Sequence, residues 1–189
     1  MRRWWSADCH FGHGNIIKYC QRPFKDAEDM NVSILRNFRS RVHNEDYVVH
    51  VGDFCCKGNE RGVEGVRTKS ADWIMVMPGR WLMLAGNHDR NNGTKCVADY
   101  LFASVGGYSA FVTHWPLSSK KYDPILTSYI MEECDFVVCG HVHEKWGEQK
   151  IQGIWHINVG VDARRFIPID DSELIEIWKK CMRKERDGV

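Results

Sequence analysis

The clearest pattern in the chain is a series of short apolar runs, each of which ends in polar side chains. Residues 81–85 form one such run and are followed directly by Gly86, Asn87, His88 and Asp89. An amide, an imidazole and a carboxylate are costly to bury at a strand end unless they bind or react. Asn can give a carbonyl oxygen to a metal, and His can carry protons near neutral pH. A Gly-Asn turn with a capped histidine is the alternative interpretation of this stretch alone.

The same arrangement recurs in four other predicted strands. Residues 3–7 end in Asp8-Cys9-His10, 46–51 in Gly52-Asp53, 108–113 in His114, and 136–139 in Gly140-His141-Val142-His143. Strands that end in polar loops build a shared site at one edge of a sheet in α/β proteins. We therefore expect these loop residues to converge.

Helical spacing of apolar residues separates several of these strands. Helices are predicted over residues 16–20, from an N-cap at Asp26 to about His43, and over 71–77, 95–104, 125–134 and 171–184, the last capped by Asp171 or Ser172. A further strand is predicted over 153–159, and a charged, Gly-rich loop over 57–69. Interleaved strands and helices favour an α/β or α+β class with mixed sheets.

Length and composition favour an ordinary globule. The 189 residues suggest a single domain over residues 1–189, large enough to bury a core without disulfides. No apolar run approaches the roughly 20 residues that span a bilayer, and no signal-peptide core is present, so we expect a cytoplasmic protein without membrane contact.

The cysteine content argues against a disulfide-stabilised protein, and the net charge argues against a protein that binds a long stretch of nucleic acid. The eight cysteines include no Cys-x-x-Cys pair, so most are interpreted as buried thiols, and Cys9 as a core thiol facing away from its neighbours. Cys55 and Cys56 are either packing residues or exposed, oxidisable thiols. A net charge of +1 gives no long-range attraction to nucleic acid, so we expect no extended nucleic-acid footprint.

The loop residues together form a set suited to metal ions. They comprise two carboxylates, an amide and five imidazoles: Asp8, Asp53, Asn87, His10, His88, His114, His141 and His143. Carboxylates buried together repel each other unless cations lie between them. Nitrogen and oxygen donors suit Mn, Fe, Zn, Ni or similar ions. In extended backbone, the i, i+2 spacing of Asp8-x-His10 and His141-x-His143 would place each pair on one face, as a two-metal centre requires.

These motifs, in this order, resemble those of the calcineurin-like metallophosphoesterases. The matching sequence elements are Asp-x-His, Gly-Asp, Gly-Asn-His-Asp, His and Gly-His-x-His, over residues 8–143. The opening Asp-x-His-Phe-Gly-His-x-Asn-Ile-Ile, Arg22-Pro23-Phe24 and the segment 158–162 look like a small bacterial and phage branch of that family that lacks a cap.

The resemblance implies a βαβα sandwich of two mixed sheets flanked by helices, with the metal site at the sheet edge. By motif, Asp8, His10, Asp53 and His143 would hold one metal, and Asn87, His114 and His141 the second, with Asp53 bridging. A hydroxide bridging the metals would attack phosphorus, His88 would protonate the leaving group, and Asp89 would orient His88. Mn²⁺ is the favoured ion, with Fe, Zn, Ni and Co as alternatives.

The function expected from this resemblance is hydrolysis of a phosphodiester in a nucleotide, a cyclic nucleotide or a nucleic-acid end. A phosphomonoesterase, including a protein phosphatase, is the alternative enzyme, and a scaffold that has lost its chemistry is the alternative outside enzymes. The phosphoprotein phosphatases of this superfamily have Asp-Arg where this chain has Cys56-Lys57, which weakens that alternative.

Other residues carry weaker signals. Candidate phosphate contacts are His13, Arg22, Lys57, Arg61 and Arg90. Surface charge is the alternative for each cation. His50 is interpreted as a hydrogen-bonded structural histidine. Trp115 and Trp146, beside the motifs, are either packing residues or rings that stack on a base. The sequence gives no indication of the oligomeric state.

Overall fold

The computed structural model describes residues 1–56, 69–119 and 121–188. Nearly all of the predicted loop over 57–69, with the candidate phosphate contacts Lys57 and Arg61, therefore lies outside the described residues. The single domain over residues 1–189 stays a prediction.

Nine strands are described: β1 Arg3–Ser6, β2 Tyr47–His50, β3 Arg80–Met83, β4 Tyr100–Val105, β5 Tyr108–Thr113, β6 Phe136–Cys139, β7 Glu148–Ile151, β8 Ile154–Asn158 and β9 Ile169–Asp170. Six α-helices are described: α1 Gly14–Tyr19, α2 Ala27–Arg39, α3 Ser70–Val76, α4 Asp89–Asn92, α5 Pro124–Glu133 and α6 Asp171–Asp187. A short 3-10 helix covers His143–Lys145.

The strands form two mixed sheets. In the four-stranded sheet, of order β3-β2-β1-β9, the first three strands are parallel and β9 is antiparallel to β1. In the five-stranded sheet, of order β4-β5-β6-β8-β7, the three inner strands are parallel and both edge strands are antiparallel. Two mixed sheets with helices confirm the predicted fold class.

Alternation along the strands places apolar side chains on both faces of each sheet. Trp5 and Val49 pack with Val112 and Val138 of the second sheet in a central core, which α6 completes through Leu174, Trp178 and Cys181. The neighbouring residues Trp4 and Val48 point the other way, towards α2. Phe111 and Val137 pack against α5. The sandwich thus buries both faces of its parallel strands, as parallel sheets require.

The helix predicted over 95–104 is wrong. Residues 100–105 form β4, which pairs with β5 through a tight turn at Gly106 and Gly107. Both glycines have positive φ, 56° and 87°, as a two-residue hairpin turn demands. The Gly-Gly pair between two apolar runs is the signal in the sequence that favours this hairpin.

The short strands β7 and β9 were not predicted.

His50 was interpreted as a hydrogen-bonded structural histidine, and the structure differs from this. The ring of His50 is buried beside Phe54 and Trp81, with ring centroids 5.2 and 6.0 Å away, but within the described ranges neither ring nitrogen has a hydrogen-bond partner.

The C-terminal helix begins at Asp171, as predicted, but its N-cap lies one residue earlier than predicted and its end lies three residues later. Its N-cap is Asp170, which accepts hydrogen bonds from the amides of Ser172 and Glu173 while Glu173 reaches back to the Asp170 amide. Asp171 instead binds Arg3 and the indole N–H of Trp5. The reciprocal capping box satisfies two helix-end donors and fixes the start of α6.

We predict that Asp170→Ala lowers the free energy of unfolding by about 1 kcal/mol, because it removes this cap. Glu176→Ala is the matched control, since its exposed ion pair with Lys180 on the same helix contributes less than about 0.5 kcal/mol. Urea denaturation measures both, and equal losses in the two variants would contradict the assigned cap.

Candidate metal centre

The polar ends of the strands meet at one edge of the two sheets. The amide of Asp8 donates to the carbonyl of Gly52 at 3.0 Å, and the amide of His10 donates to the carbonyl of Asp53 at 3.1 Å. Across the sheets, the amide of His141 donates to Oδ2 of Asp8 at 2.9 Å. Residues far apart in sequence are therefore joined in one buried set of loops.

The carboxylate of Asp53 lies at the centre of these loops. Its Oδ2 is 3.6 Å from Nε2 of His10, 3.5 Å from Nε2 of His114 and 3.9 Å from Nε2 of His88. Its Oδ1 accepts a hydrogen bond from the amide of His88 at 2.9 Å. One oxygen is thus fixed by the backbone, and the other faces three imidazoles.

Two groups of donors flank Asp53. On one side, ligand atoms of Asp8, His10 and His143 lie within 4.8 Å of one another. Ligand atoms of Asp8, Asp53 and His114 also lie within 4.8 Å of one another, which connects this side to Asp53. On the other side, Oδ1 of Asn87 lies 3.1 Å from both Nε2 of His114 and Nδ1 of His141. All seven residues predicted as metal ligands are therefore brought together.

Several of these donors are buried without a hydrogen-bond partner. Oδ1 of Asp8 and both ring nitrogens of His10 have none among the residues that the structure describes. A buried polar group without a hydrogen-bond partner lowers the free energy of unfolding by about 1–3 kcal/mol. A divalent cation would satisfy these atoms, so the residues fit the metal ions that the sequence implies.

Burial and neighbouring charges shift the titration of the cluster. Burial raises the pKa of Asp8 to about 6. Burial also lowers the pKa of His10 well below its usual value, and burial together with His114 lowers the pKa of His141 to about 4. These two imidazoles are therefore neutral near pH 7, which is the form that binds metals.

Two further shifts arise from hydrogen bonds within the cluster. Burial would raise the pKa of Asp53, but the hydrogen bond and charge of His114 hold it well below its usual range. Burial would lower the pKa of His143, but hydrogen bonds to Asp162 and Cys20 and the charge of Asp8 raise it to about 10. The pocket around His143 therefore favours positive charge.

The backbone at the ligands differs from the extended form assumed for the i, i+2 pairs. Five of the seven predicted ligands have positive φ: Asp8 (57°), His10 (50°), Asp53 (58°), His141 (71°) and His143 (51°). The left-handed conformation costs non-glycine residues about 1–2 kcal/mol each. Such strain concentrates at functional sites, where the surrounding structure holds it in place. The prediction that extended backbone places Asp8 with His10, and His141 with His143, on one face was wrong, although both pairs reach the site.

A buried ion pair supports the first group of donors. Nδ1 of His143 lies 2.8 Å from Oδ2 of Asp162, whose carboxylate also forms a bidentate pair with Arg22 at 2.8 Å for each bond. The guanidinium of Arg22 further donates to the carbonyls of Asp8 and Cys9. A carboxylate behind a ligating histidine fixes its ring and tautomer.

Arg22 was expected to contact phosphate, and this geometry corrects that expectation. Its side chain is fully buried and its donors are engaged by Asp162 and the loop carbonyls. Asp162 was missed as a site residue, although it lies in the segment 158–162 that carried part of the family resemblance. Cys9, by contrast, is confirmed as a buried core thiol, and Cys55 is also buried.

Asp89 differs from its expected role as the partner of His88. Its carboxylate accepts hydrogen bonds from the amides of Asp53 and Gly86 at 2.7 Å and of Phe54 at 3.1 Å. It therefore holds the loop that carries Asp53. Within the described part of the chain, no hydrogen bond joins the Asp89 carboxylate to the imidazole of His88.

The imidazole of His88 lies at the open side of the cluster, where 43% of the side chain is exposed. Its ring centroid is 5.2 Å from that of His10 and 6.1 Å from that of His13. Its backbone is fixed on both sides, because its carbonyl accepts a hydrogen bond from Asn92 at 2.7 Å. His13, a candidate phosphate contact, is half-buried at the same opening.

Arg90 is exposed, and within the described ranges it has neither an ion pair nor a hydrogen-bond partner. It lines a cavity of about 480 Å³ that begins at the metal-ligand candidate Asn87. The other walls include Trp115, Tyr100, Tyr122 and Leu126. Trp146 packs against the core beside α5 instead.

Comparison with known proteins agrees with this geometry. The family model of the calcineurin-like phosphoesterase superfamily domain matches residues 1–166. The chain belongs to this superfamily. Its members depend on divalent metals, and the clustered His and Asp side chains described above are suitable ligands.

Individual relatives extend over nearly the whole chain. A protein of Methanocaldococcus jannaschii, whose name assigns no function, is 30% identical over 92% of this chain and 89% of its own length. The gene 66 protein of Mycobacterium phage D29 is 22% identical over 89% of this chain and 92% of its own length. A crystal structure of an Aquifex aeolicus protein of unknown function shares the fold, with a TM-score of 0.69, 24% identity and coverage of 93% and 98% of the two chains.

Among the described residues, no helix combines the length and the apolar character that a membrane crossing needs.

We predict that Gly86→Ala removes metal binding, because a Cβ there would lie 2.2 Å from Oδ1 of Asp53 and 2.5 Å from its amide nitrogen. Gly93→Ala is the control: its Cβ would meet no atom within 4 Å, and its φ of 73° costs about 1–2 kcal/mol of strain. Elemental analysis after dialysis against Mn²⁺ distinguishes them. Retention of metal by Gly86→Ala would contradict the central position of Asp53.

Proposed function

We propose that this protein is a phosphodiesterase that requires two divalent metal ions and hydrolyses a nucleotide, a cyclic nucleotide or a nucleic-acid-end phosphodiester. Mn²⁺ is the proposed ion, and Fe, Zn, Ni and Co have the same donor preferences. The observation that supports the proposal most directly is the position of Asp53 between the two groups of donors.

Asp8, His10, Asp53 and His143 would hold the first ion, and Asn87, His114 and His141 would hold the second with Asp53 shared. Such a pair of ions lowers the pKa of water and neutralises charge on the phosphoryl oxygens. The chain's own contribution is to keep the ligands neutral or paired and to fix their directions. Asp162 orients His143, and the backbone amide of His88 orients Asp53.

His88 is the proposed proton donor to the leaving oxygen. Its ring is accessible and adjoins His10, and His88 is not one of the seven residues proposed to hold the metal ions. An accessible imidazole within reach of the reacting group is the usual general acid. Half-buried His13 lies at the same opening and is proposed as a phosphate contact.

The charge at the opening favours a diester over a monoester. A monoester carries a second negative charge near neutral pH and needs additional fixed cations. Of the candidate phosphate-binding arginines that the structure describes, Arg22 is occupied by Asp162, which leaves Arg90 as the unpaired one. A diester, which carries a single negative charge, matches this single unpaired arginine.

Hydrolysis of bis-p-nitrophenyl phosphate in the presence of Mn²⁺ tests the proposal, with removal of the metal by chelation as the first control. We expect turnover that chelation abolishes and Mn²⁺ restores. The diester should be hydrolysed with a higher kcat/KM than p-nitrophenyl phosphate. A preference for the monoester would reverse the assignment, and no turnover with any divalent ion would refute it.

We predict that His88→Ala lowers kcat for diester hydrolysis about 10²- to 10⁴-fold while leaving metal content intact, because it removes only the proton donor. His43→Ala, at an exposed position after α2, should behave as the wild-type protein. Elemental analysis accompanies the kinetics. Unchanged kcat in a His88→Ala protein that retains its metal would exclude the assigned role.

A further inference from the structure

The cavity beside Asn87 is continuous with the proposed metal centre but is not used by the reaction as derived above. It opens at Gly86, Asn87 and Arg90, directly after β3, and extends towards β4 and the start of α5. Its volume of about 480 Å³ lies in the usual range for small-molecule sites, roughly 300–1,000 Å³. A ligand bound through phosphate at Asn87 would therefore have room for one further group.

The walls of the cavity suit a planar group. Tyr100 is 40% exposed and is held from behind by Phe111, with ring centroids 5.2 Å apart. The hydroxyl of Tyr122 is engaged with Thr113 and donates to the carbonyl of Trp115 at 3.2 Å, which leaves its ring as wall. Leu126 adds an apolar surface from α5. Aromatic and apolar faces of this kind stack on the flat surface of a nucleobase.

The charged groups of the cavity are arranged for a polar, aromatic ligand. Arg90 stands unpaired next to Asn87, where a phosphate would lie. Lys121 is placed over the ring of Trp115, with Nζ 3.3 Å from the ring centroid, and so covers that face of the indole. Asp99 is exposed on the wall and has no hydrogen-bond or ion-pair partner in the described part of the chain. Its carboxylate is available to accept from ring or exocyclic N–H groups.

The position of His88 decides which side of the diester enters the cavity. Its ring adjoins His10 and His13, and it is not among the described residues that line the cavity. The leaving oxygen must lie at the proton donor. The cavity therefore takes the arm that remains on phosphorus.

From these observations, and resting on the proposed function, we propose that the cavity binds the nucleoside arm that a small phosphodiester retains during hydrolysis. The water oxygen bonds to phosphorus and the water gives up one proton, the bond from phosphorus to the leaving oxygen breaks, and that oxygen takes a proton from His88. The proton released by the water then restores His88 to its protonated form. The products are a nucleoside monophosphate, held by the cavity, and a free alcohol or phenol.

Two esters with the same leaving group test the proposal: the p-nitrophenyl ester of thymidine 5′-phosphate and methyl p-nitrophenyl phosphate. Because base stacking on aromatic side chains changes binding about 5- to 150-fold, we expect kcat/KM for the nucleoside ester to exceed that for the methyl ester by at least about tenfold. The difference should appear chiefly in KM.

Variants on one strand provide the matched comparison. Tyr100→Ala should lower the ratio of the two kcat/KM values about fivefold or more, since it removes a wall of the cavity. Phe102→Ala truncates the next aromatic residue on the same face of β4, also exposed but outside the cavity, and should leave the ratio unchanged. Leu126→Trp, which fills the cavity without truncation, should lower the ratio if Tyr100→Ala does not fold.

Binding gives an independent measurement. In saturation-transfer NMR with Mg²⁺-loaded protein and thymidine 5′-monophosphate, magnetisation should reach the base protons in wild-type and Phe102→Ala proteins and much less in Tyr100→Ala or Leu126→Trp. A kcat/KM ratio near one, with both esters hydrolysed, would overturn the cavity assignment and leave the phosphodiesterase proposal intact. If neither ester is hydrolysed, the proposed function fails, and equal transfer in all four proteins would overturn the nucleoside site as well.

Discussion

The repulsion between buried carboxylates is the constraint on which the rest of the site depends. Asp8 and Asp53 are almost completely removed from water, and they lie within one cluster with His114. Two like charges in such an environment raise each other's free energy strongly unless positive charge lies between them. The imidazoles, the Arg22–Asp162 pair and the proposed metal ions all act on this one electrostatic problem. The fold brings the groups together, and cations make their proximity tolerable.

Backbone strain shows how much of the structure serves this arrangement. Asp8, His10, Asp53, His141 and His143 all have left-handed φ values, and all five lie in the loops that meet at the edge of the two sheets. Five such residues cost several kcal/mol in sum at about 1–2 kcal/mol each. The buried cores on either face of the parallel strands supply the stability that permits this strain.

Elements whose sequence signals are local were predictable from the sequence. Buried strands such as 81–85 and the convergence of their polar ends follow from periodicity and from the rule for parallel strands. The hairpin of β4 and β5 was missed because Val97 and Leu101, four residues apart within the predicted helix over 95–104, match a helical spacing. The roles of Arg22 and Asp162 were also not predictable, because their pairing joins residues 140 positions apart and no local pattern records it. Asp89 was assigned to the wrong partner for a similar reason: two of the three amides it binds, those of Asp53 and Phe54, belong to a different strand end.

The ion pair of Arg22 with Asp162 also constrains the order of events in folding. The guanidinium touches the carbonyls of Asp8 and Cys9 near the beginning of the chain and a carboxylate near its end. The contacts that hold the N-terminal ligands in place are therefore complete only when the chain has been synthesised through residue 162. A ribosome-bound fragment that ends before residue 162 would lack the buried partner that holds His143.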